Sequence, residues 1–406
     1  MKRPSAGQWL LLGVFLATLP LVTLKVRGAD EIQYFSHLRS AVFDHDFDFA
    51  DEYEHFYQLD PQGLAGFKGT FLDKREPLTG RRINFAPIGT AVLWSPFYLL
   101  AHAGLTVARA LGASVEADGY SRPYVAAVCY ASALYALLGL LLIHDGLTRV
   151  GGFADRDAAL ALAALWLGSP LLYYVSLAPA FSHACSLFAL ALVVWLWLRL
   201  RGRPASGVGG WALLGAAVGL AGLVREQDAL IVVLPGLELA RRLWRDRDWG
   251  GVLARGLALG VGAWLVFLPQ LFAYRAINGA FGPSRLVTQK MRYSSPHFLQ
   301  VLFDPGHGLF VWCPLLLLAA LGLLLAWRRG DGAVPALAAA LLLTVWINGS
   351  VESWSVAGAF GARRFVGMTV VFAWGLAALV EAARPRLGTP ALAAALAVFV
   401  WWNVSL

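Results

Sequence analysis

Asp30 and Glu31 stand side by side a few residues beyond the first long apolar run, in the stretch Gly28-Ala29-Asp30-Glu31. A carboxylate held at a water–lipid boundary stays hydrated while facing a lipid-borne substrate. There it can take the proton from an attacking hydroxyl, a role that contributes roughly 10² to 10⁴ in rate. The same pair would also suit the first turn of an interfacial helix, where an acidic side chain serves as a cap. A second acidic cluster follows in Asp44-His45-Asp46-Phe47-Asp48. Its D-x-D-x-D spacing opens like a calcium loop. The sixth position is Phe49 rather than Gly and the twelfth is His55 rather than Glu, which excludes an EF-hand. In an extended segment Asp44, Asp46 and Asp48 fall on one side. Such a row holds a hard cation, meets the hydroxyls of an acceptor, or is simply a solvated acidic surface.

Cationic groups recur at the ends of the later apolar runs. His183 opens one, Arg225 lies between two, and Arg363 and Arg364 follow Gly358-Ala359-Phe360-Gly361. An arginine at the centre of a bilayer costs about 2.5–3.5 kcal/mol, and less towards its edge. A guanidinium matches phosphate oxygens two at a time, so these residues are candidates to bind the phosphate of a lipid carrier. The alternatives are ordinary snorkelling, or pairing with Glu226, Asp228 or Glu352. Cys129, Cys185 and Cys313 stand singly, with neither disulfide nor metal spacing.

The elements that carry these residues are membrane helices. Of 406 residues 58% are hydrophobic, only 14% are charged, and the mean hydropathy is +0.62. A soluble domain carries about 25% charged residues. Apolar runs long enough to cross a hydrocarbon core of about 30 Å recur along the chain, which defines an all-α, polytopic integral membrane protein surrounded by membrane lipids. The net charge of +8 does not point to nucleic acid. The arginines cluster in short loops, as the positive-inside rule expects for cytoplasmic loops. No Gly-rich phosphate loop follows a strand pattern, so nucleotide binding is not expected.

Residues 8–26 read as a retained first helix rather than a signal peptide, because no small-x-small cleavage site precedes Asp30. Further spans fall at about residues 123–147, 157–175, 182–200, 209–224, 228–243, 251–274, 308–327, 333–348, 364–380 and 390–402. Residues 83–111 are long enough to cross but contain Pro87, Pro96 and His102. Loop charge decides this segment. If it does not cross, Arg149/Arg156, Arg199/Arg201/Arg203, Arg241/Arg242/Arg245/Arg247, Arg328/Arg329 and Arg384/Arg386 share a side with Lys2/Arg3. If it crosses, they all move to the opposite side. The bias favours an interfacial or re-entrant helix. The expectation is one domain, residues 1–406, of about eleven spanning helices. Its long first outer loop, residues 27–122, carries the 83–111 helix.

These segments, taken in order, resemble a known family. The first helix followed by Gly28-Ala29-Asp30-Glu31-Ile32-Gln33-Tyr34 is succeeded by Asp46-Phe47-Asp48-Phe49 and then by Asn84-Phe85-Ala86-Pro87-Ile88-Gly89 with Pro96. Later come Phe303-Asp304-Pro305-Gly306-His307-Gly308-Leu309, Trp354 and Phe360-Gly361-Ala362-Arg363-Arg364. Together they look like a bacterial polytopic glycosyltransferase of the GT-C fold. That superfamily includes protein O-mannosyltransferases, aminoarabinose transferases and oligosaccharyltransferase catalytic subunits. The resemblance implies a polyprenyl-phosphate sugar as donor, a lipid, glycan or protein hydroxyl as acceptor, and inversion at the sugar carbon. It assigns Asp30 as catalytic base, with Glu31 assisting it or orienting the acceptor. It also implies that residues 83–111 are the interfacial helix such enzymes carry.

Two departures accompany the resemblance. Many relatives place a second acidic residue in the next outer loop, where this chain has Ser182-His183. That departure weighs against a two-carboxylate or metal-dependent scheme; the sequence names no cofactor, and a divalent cation stays open. Many relatives also continue past the last span seen here, so acceptor recognition by a further outer domain is not expected. The resulting expectation is a hexosyl or pentosyl transferase of the bacterial inner membrane. Its N-terminus would be cytoplasmic and its site periplasmic, with Arg363, Arg364, Arg225 and His183 at the departing phosphate. Two alternatives stand beside it. A transporter or flippase would carry paired halves and broken helices, which the sequence lacks. A non-catalytic scaffold predicts that Asp30→Asn is silent.

Overall fold

The computed structural model describes residues 3–201, 207–356 and 358–406. Lys2 and Arg203, two of the basic residues weighed above, lie outside the described residues. Among the described residues every regular element is helical, apart from isolated bridges between Arg75 and Arg82 and between Met291 and Val351. Five segments have the length and hydropathy to cross a membrane: Gly89–Ala110, Arg122–Arg149, His183–Leu200, Trp249–Asn278 and Arg363–Ser405. Shorter apolar helices cover Ala6–Leu21, Val208–Val224, Pro314–Arg328 and Val334–Gly349.

The helices differ from the expected spans where proline and glycine intervene. The first helix closes at Leu21, in a 3₁₀ turn around Pro20, rather than running to Val26. The 157–175 segment is bent by 67° between Asp155–Leu167 and Pro170–Ser176. Pro170 has no N–H to continue the ladder, and the Ser169 hydroxyl bonds back to Leu165 O at 2.6 Å. The 228–243 segment divides into a 3₁₀ stretch, Glu226–Val232, and the helix Val233–Asp246. The last two expected spans merge into Thr369–Ser405, broken at Gly388, whose φ is 73°. Helices meet closely where side chains are absent, as membrane packing favours. A Cβ on Gly322 would lie 2.0 Å from Gly375 O, so Pro314–Arg328 and Thr369–Ser405 touch backbone to backbone.

The bundle has two chemically different ends. At one end the start of the chain and the basic loops gather. Gly7 N donates to Asp155 at 2.7 Å, Arg199 reaches Asp145 at 3.1 Å, and Arg384 reaches Asp157 at 2.7 Å. Arg242 donates to Leu200 O at 3.2 Å, Trp374 donates to Asp331 at 2.6 Å, and Arg329 pairs with Glu381. At the other end meet the starts of Ala29–Phe43, His183–Leu200 and Arg363–Met368 and the finishes of Val208–Val224, Trp249–Asn278 and Val334–Gly349.

The Gly89–Ala110 helix keeps to that second end. Residues 83–88 are not helical, contrary to the expected 83–111 helix: Pro87 and the side-chain bonds described below hold them in an irregular segment, and the helix begins at Gly89. Gly89 packs so tightly that a Cβ would lie 2.3 Å from the Leu223 carbonyl carbon. Further along, Trp94 donates to Ser132 at 2.8 Å, Tyr98 donates to Gly119 O at 2.8 Å, and His102 meets Tyr124 Oη at 2.6 Å. These partners belong to the start of Arg122–Arg149 and the turn before it, not to the basic loops.

Candidate active site

A cavity of about 660 Å³ opens where those helix termini converge. Asp30, His183, Arg225, Arg363 and Arg364 all line it. Asp30 sits in the first turn of Ala29–Phe43, 45% exposed, with Oδ2 2.9 Å from Arg363 Nη2. Its neighbour Glu31 does not line the cavity. The Glu31 carboxylate turns back and accepts the backbone N–H groups of Arg27 at 2.7 Å and Gly28 at 2.8 Å. Burial pushes its pKa above the usual carboxylate range, against the pull of those two hydrogen bonds. Of the adjacent pair it is thus Glu31 that caps the helix, and its cap presents Asp30 to the cavity. The expected role of Glu31 beside an acceptor is corrected accordingly.

One turn further on lie two residues that the sequence reading did not single out. Gln33 and Tyr34 are three and four positions from Asp30, the spacing that shares a helix face, and both line the cavity. The Gln33 amide oxygen accepts Phe85 N at 2.7 Å, and Asn84 Nδ2 donates to Gln33 O at 3.1 Å. These bonds fasten the Asn84-Phe85-Ala86-Pro87 segment beside Asp30. His37, a turn later, meets Ala86 O through Nε2 at 2.8 Å, and burial lowers its pKa to about 4. Burial pushes the Tyr34 hydroxyl up to about 12, so it remains a neutral hydrogen-bonding group in the cavity wall.

The cationic wall is preorganised. Arg363 lies 5.0 Å over the Phe181 ring, and the same ring stacks on His183 at 5.6 Å. Arg225 Nη1 bonds to His183 Nδ1. An arginine can only donate, so Nδ1 is the acceptor and the proton of a neutral imidazole sits on Nε2. His183 therefore supports Arg225 through Nδ1 while itself lining the cavity. Arg364 donates to Ser353 Oγ at 3.3 Å, while its buried Nη1 has no partner. Lys290 also lines the cavity. Among the described residues, neither Arg225 nor Arg364 has a carboxylate within 4.0 Å. Glu226, next to Arg225 in the chain, also lines the cavity and accepts the Tyr274 hydroxyl.

Asp44, Asp46 and Asp48 do not line this cavity, nor do they form an extended row. Asp44 ends the Ala29–Phe43 helix and pairs with Arg39. His45 turns the chain at φ 59°. Asp46 Oδ1 then accepts Ser40 Oγ at 2.9 Å and Asp48 N at 3.0 Å, and Asp48 accepts Ala50 N at 3.3 Å. These carboxylates are occupied in closing a turn. No group of three His, Cys, Asp or Glu side chains suited to a metal occurs among the described residues. Around Asp30 the neighbours are guanidinium groups, a poor donor set for a cation. The cavity is suited instead to an anion beside a carboxylate that can accept a proton.

No family model and no curated protein matches the chain. Its fold is nevertheless that of the GT-C membrane glycosyltransferases. It superposes on ArnT from Cupriavidus metallidurans bound to undecaprenyl phosphate with a TM-score of 0.51 at 18% identity, covering 96% of this chain and 62% of that one. It also superposes on the oligosaccharyltransferase of Archaeoglobus fulgidus tethered to an acceptor peptide, with a TM-score of 0.55 at 13% identity, covering 98% of this chain and 54% of the other. The same enzyme with an inhibitory peptide and a dolichol-phosphate gives a TM-score of 0.54 at 14% identity, with the same 98% and 54% coverage. The chain thus spans between half and two thirds of the length of these proteins.

Proposed function

We propose that this chain is a glycosyltransferase that moves a sugar from a polyprenyl-phosphate donor to an acceptor hydroxyl. The observation that carries the reading is one cavity lined by Asp30 and three guanidinium groups, two of them without a carboxylate within 4.0 Å among the described residues. Its volume lies within the ordinary range of small-ligand sites, roughly 300–1,000 Å³. ArnT and the oligosaccharyltransferase, whose fold it shares, were solved with polyprenyl-type phosphates.

In this mechanism Asp30 accepts the proton of the acceptor hydroxyl as its oxygen attacks the anomeric carbon. The new carbon–oxygen bond forms as the bond to the phosphate oxygen breaks, and polyprenyl phosphate departs with that electron pair. Attack from the face opposite the phosphate inverts the centre. Arg363, Arg364 and Arg225 take up the charge growing on the phosphate, an effect strongest for donors fixed in advance. His183 holds Arg225, and Glu31 holds the turn that presents Asp30. The Arg363–Asp30 contact opens when phosphate and acceptor enter.

The rest of the reading concerns placement. The N-terminus and basic loops face the cytoplasm, and the cavity faces the outside of a bacterial inner membrane, as the arginine distribution favours. The Gly89–Ala110 helix lies at the outer interface, within one first outer loop of residues 27–122. Release of free polyprenyl phosphate from a panel of polyprenyl-phosphate hexoses and pentoses, with envelope extract as acceptor, tests the proposal. Release by the wild type and its loss in Asp30→Asn support it. No release from any donor by folded protein would turn the reading to a transporter or scaffold.

A further inference from the structure

A second cavity, of about 300 Å³, lies at the opposite, basic end of the bundle. Asp145, Arg149, Trp195, Arg199 and Arg201 line it, and the proposed transfer uses none of them. Asp145 organises the group. Its Oδ1 takes Arg149 Nε at 2.8 Å, and its Oδ2 takes Arg199 Nη2 at 3.1 Å and Trp195 Nε1 at 2.9 Å. Arg199 also lies 4.0 Å over Trp195, and Arg201 lies 5.3 Å over Trp197. Arg201 has no carboxylate within 4.0 Å among the described residues.

Solvated loop arginines swing freely, whereas these are held by stacking and by one shared carboxylate. Three cations around one anion leave an excess of two positive charges in a cleft. Arg149 is 59% exposed and Arg199 41% exposed, so their remaining N–H groups stay open to a ligand. On the Arg122–Arg149 helix, Leu138, Leu142, Asp145 and Arg149 recur at the four- and three-residue spacing of one face. Leu138 is exposed and Leu142 half-buried. An apolar track therefore runs along a membrane-spanning helix directly into the cationic cleft. A free anion has no use for that track, but an acyl chain does.

We propose that this cleft binds the phosphodiester head group of an anionic membrane phospholipid, with an acyl chain along the Leu138–Leu142 face. Basic pockets between membrane helices are suited to such head groups. The proposal stands apart from the transferase reading and does not need it.

The test is thermal unfolding of the detergent-purified full chain titrated with cardiolipin, phosphatidylglycerol, phosphatidylcholine or inorganic phosphate. A ligand that binds only the folded state raises the midpoint as its concentration passes Kd. Cardiolipin and phosphatidylglycerol should raise it saturably and phosphatidylcholine should not. Arg149→Gln/Arg201→Gln should shift the half-saturating lipid concentration upward at least about tenfold. If that variant does not purify, Arg149→Lys/Arg201→Lys keeps the charge but loses the planar fork. It should show a smaller upward shift of the same kind. Equal protection by phosphatidylcholine, or an unchanged titration in the folded variants, would overturn the site. Equal protection by millimolar inorganic phosphate would overturn the lipid as its occupant.

Discussion

Arginines at the two ends of the bundle are held in opposite ways. At the basic end Arg384 neutralises the fully buried Asp157, Arg329 pairs with Glu381, Arg242 with Glu238, and Arg149 and Arg199 share Asp145. Of the three arginines lining the cavity, Arg363 alone meets a carboxylate within 4.0 Å among the described residues, the half-exposed Asp30, while Arg225 leans on a histidine and Arg364 on a serine. Charges brought together without partners oppose folding, since their desolvation is not offset by attraction. Such a cluster lasts where a ligand supplies the missing charge. In the proposed reading, carboxylate pairs mostly tie helix ends together at the basic end, whereas at the cavity the same residue type keeps a site ready for a phosphate.

The sharpest way to break this contrast is at Asp30. Asp30→Asn keeps the shape and removes the proton acceptor, so donor turnover should fall by about 10² to 10⁴ with unchanged unfolding. Turnover near the wild-type level would remove the base from the account. Next come two matched arginine substitutions. Arg384→Gln leaves the buried Asp157 carboxylate unpaired and should destabilise the protein by about 1–3 kcal/mol. Arg364→Gln relieves a like-charge cluster, so its unfolding midpoint should hold or rise while turnover falls. A drop in both midpoints would erase the distinction between the ends.

The segment after the first helix offers a pH test of the same contrast, because there Arg39 meets a fully buried acid. Burial raises the Glu52 carboxyl to about 7, although Arg39 donates to it at 3.2 Å. The folded state then holds a proton that the unfolded chain, near the ordinary 4.5, has released. Stability from this group is full below about pH 4.5 and is lost as pH rises towards 7. His37, lowered to about 4, acts in the opposite sense, losing stability as pH falls below its ordinary 6.5. The difference in unfolding midpoint between wild type and Glu52→Gln should therefore change between pH 4.5 and 7 and stay flat above. A constant difference across that window would contradict the assignment. The smallest effect expected is at Glu31→Ala. Losing the cap should cost about 1 kcal/mol and lower turnover far less than Asp30→Asn.

How much of this was legible in the sequence follows from the range of the forces involved. That Asp30 would share a cavity with cationic residues was legible from its closeness to the first apolar run. Arg363 and Arg364 were legible because unneutralised arginines beside a long apolar stretch need a reason. What escaped depends on partners far apart in the chain. Nothing near His183 announces that Arg225 will bond to its Nδ1, or that Phe181 will contact both His183 and Arg363. Glu31 looked like half of a catalytic pair because its cap is a matter of side-chain direction. The acidic row at Asp44, Asp46 and Asp48 assumed extended backbone, and the left-handed turn at His45 undid it. Gln33 and Tyr34 were accessible in principle, since helical spacing alone places them beside Asp30.

Binding of polyprenyl phosphate itself tests most directly whether the cavity arginines that have no carboxylate within 4.0 Å among the described residues await a lipid phosphate. Equilibrium binding to wild type, Arg364→Gln and Asp30→Asn should separate the roles of the two kinds of residue. The account predicts at least about tenfold weaker binding by Arg364→Gln, which corresponds to about 1.4 kcal/mol. It predicts binding by Asp30→Asn as tight as wild type or tighter, because Arg363 loses its competing partner. Unchanged affinity in Arg364→Gln, with the protein folded, would contradict it.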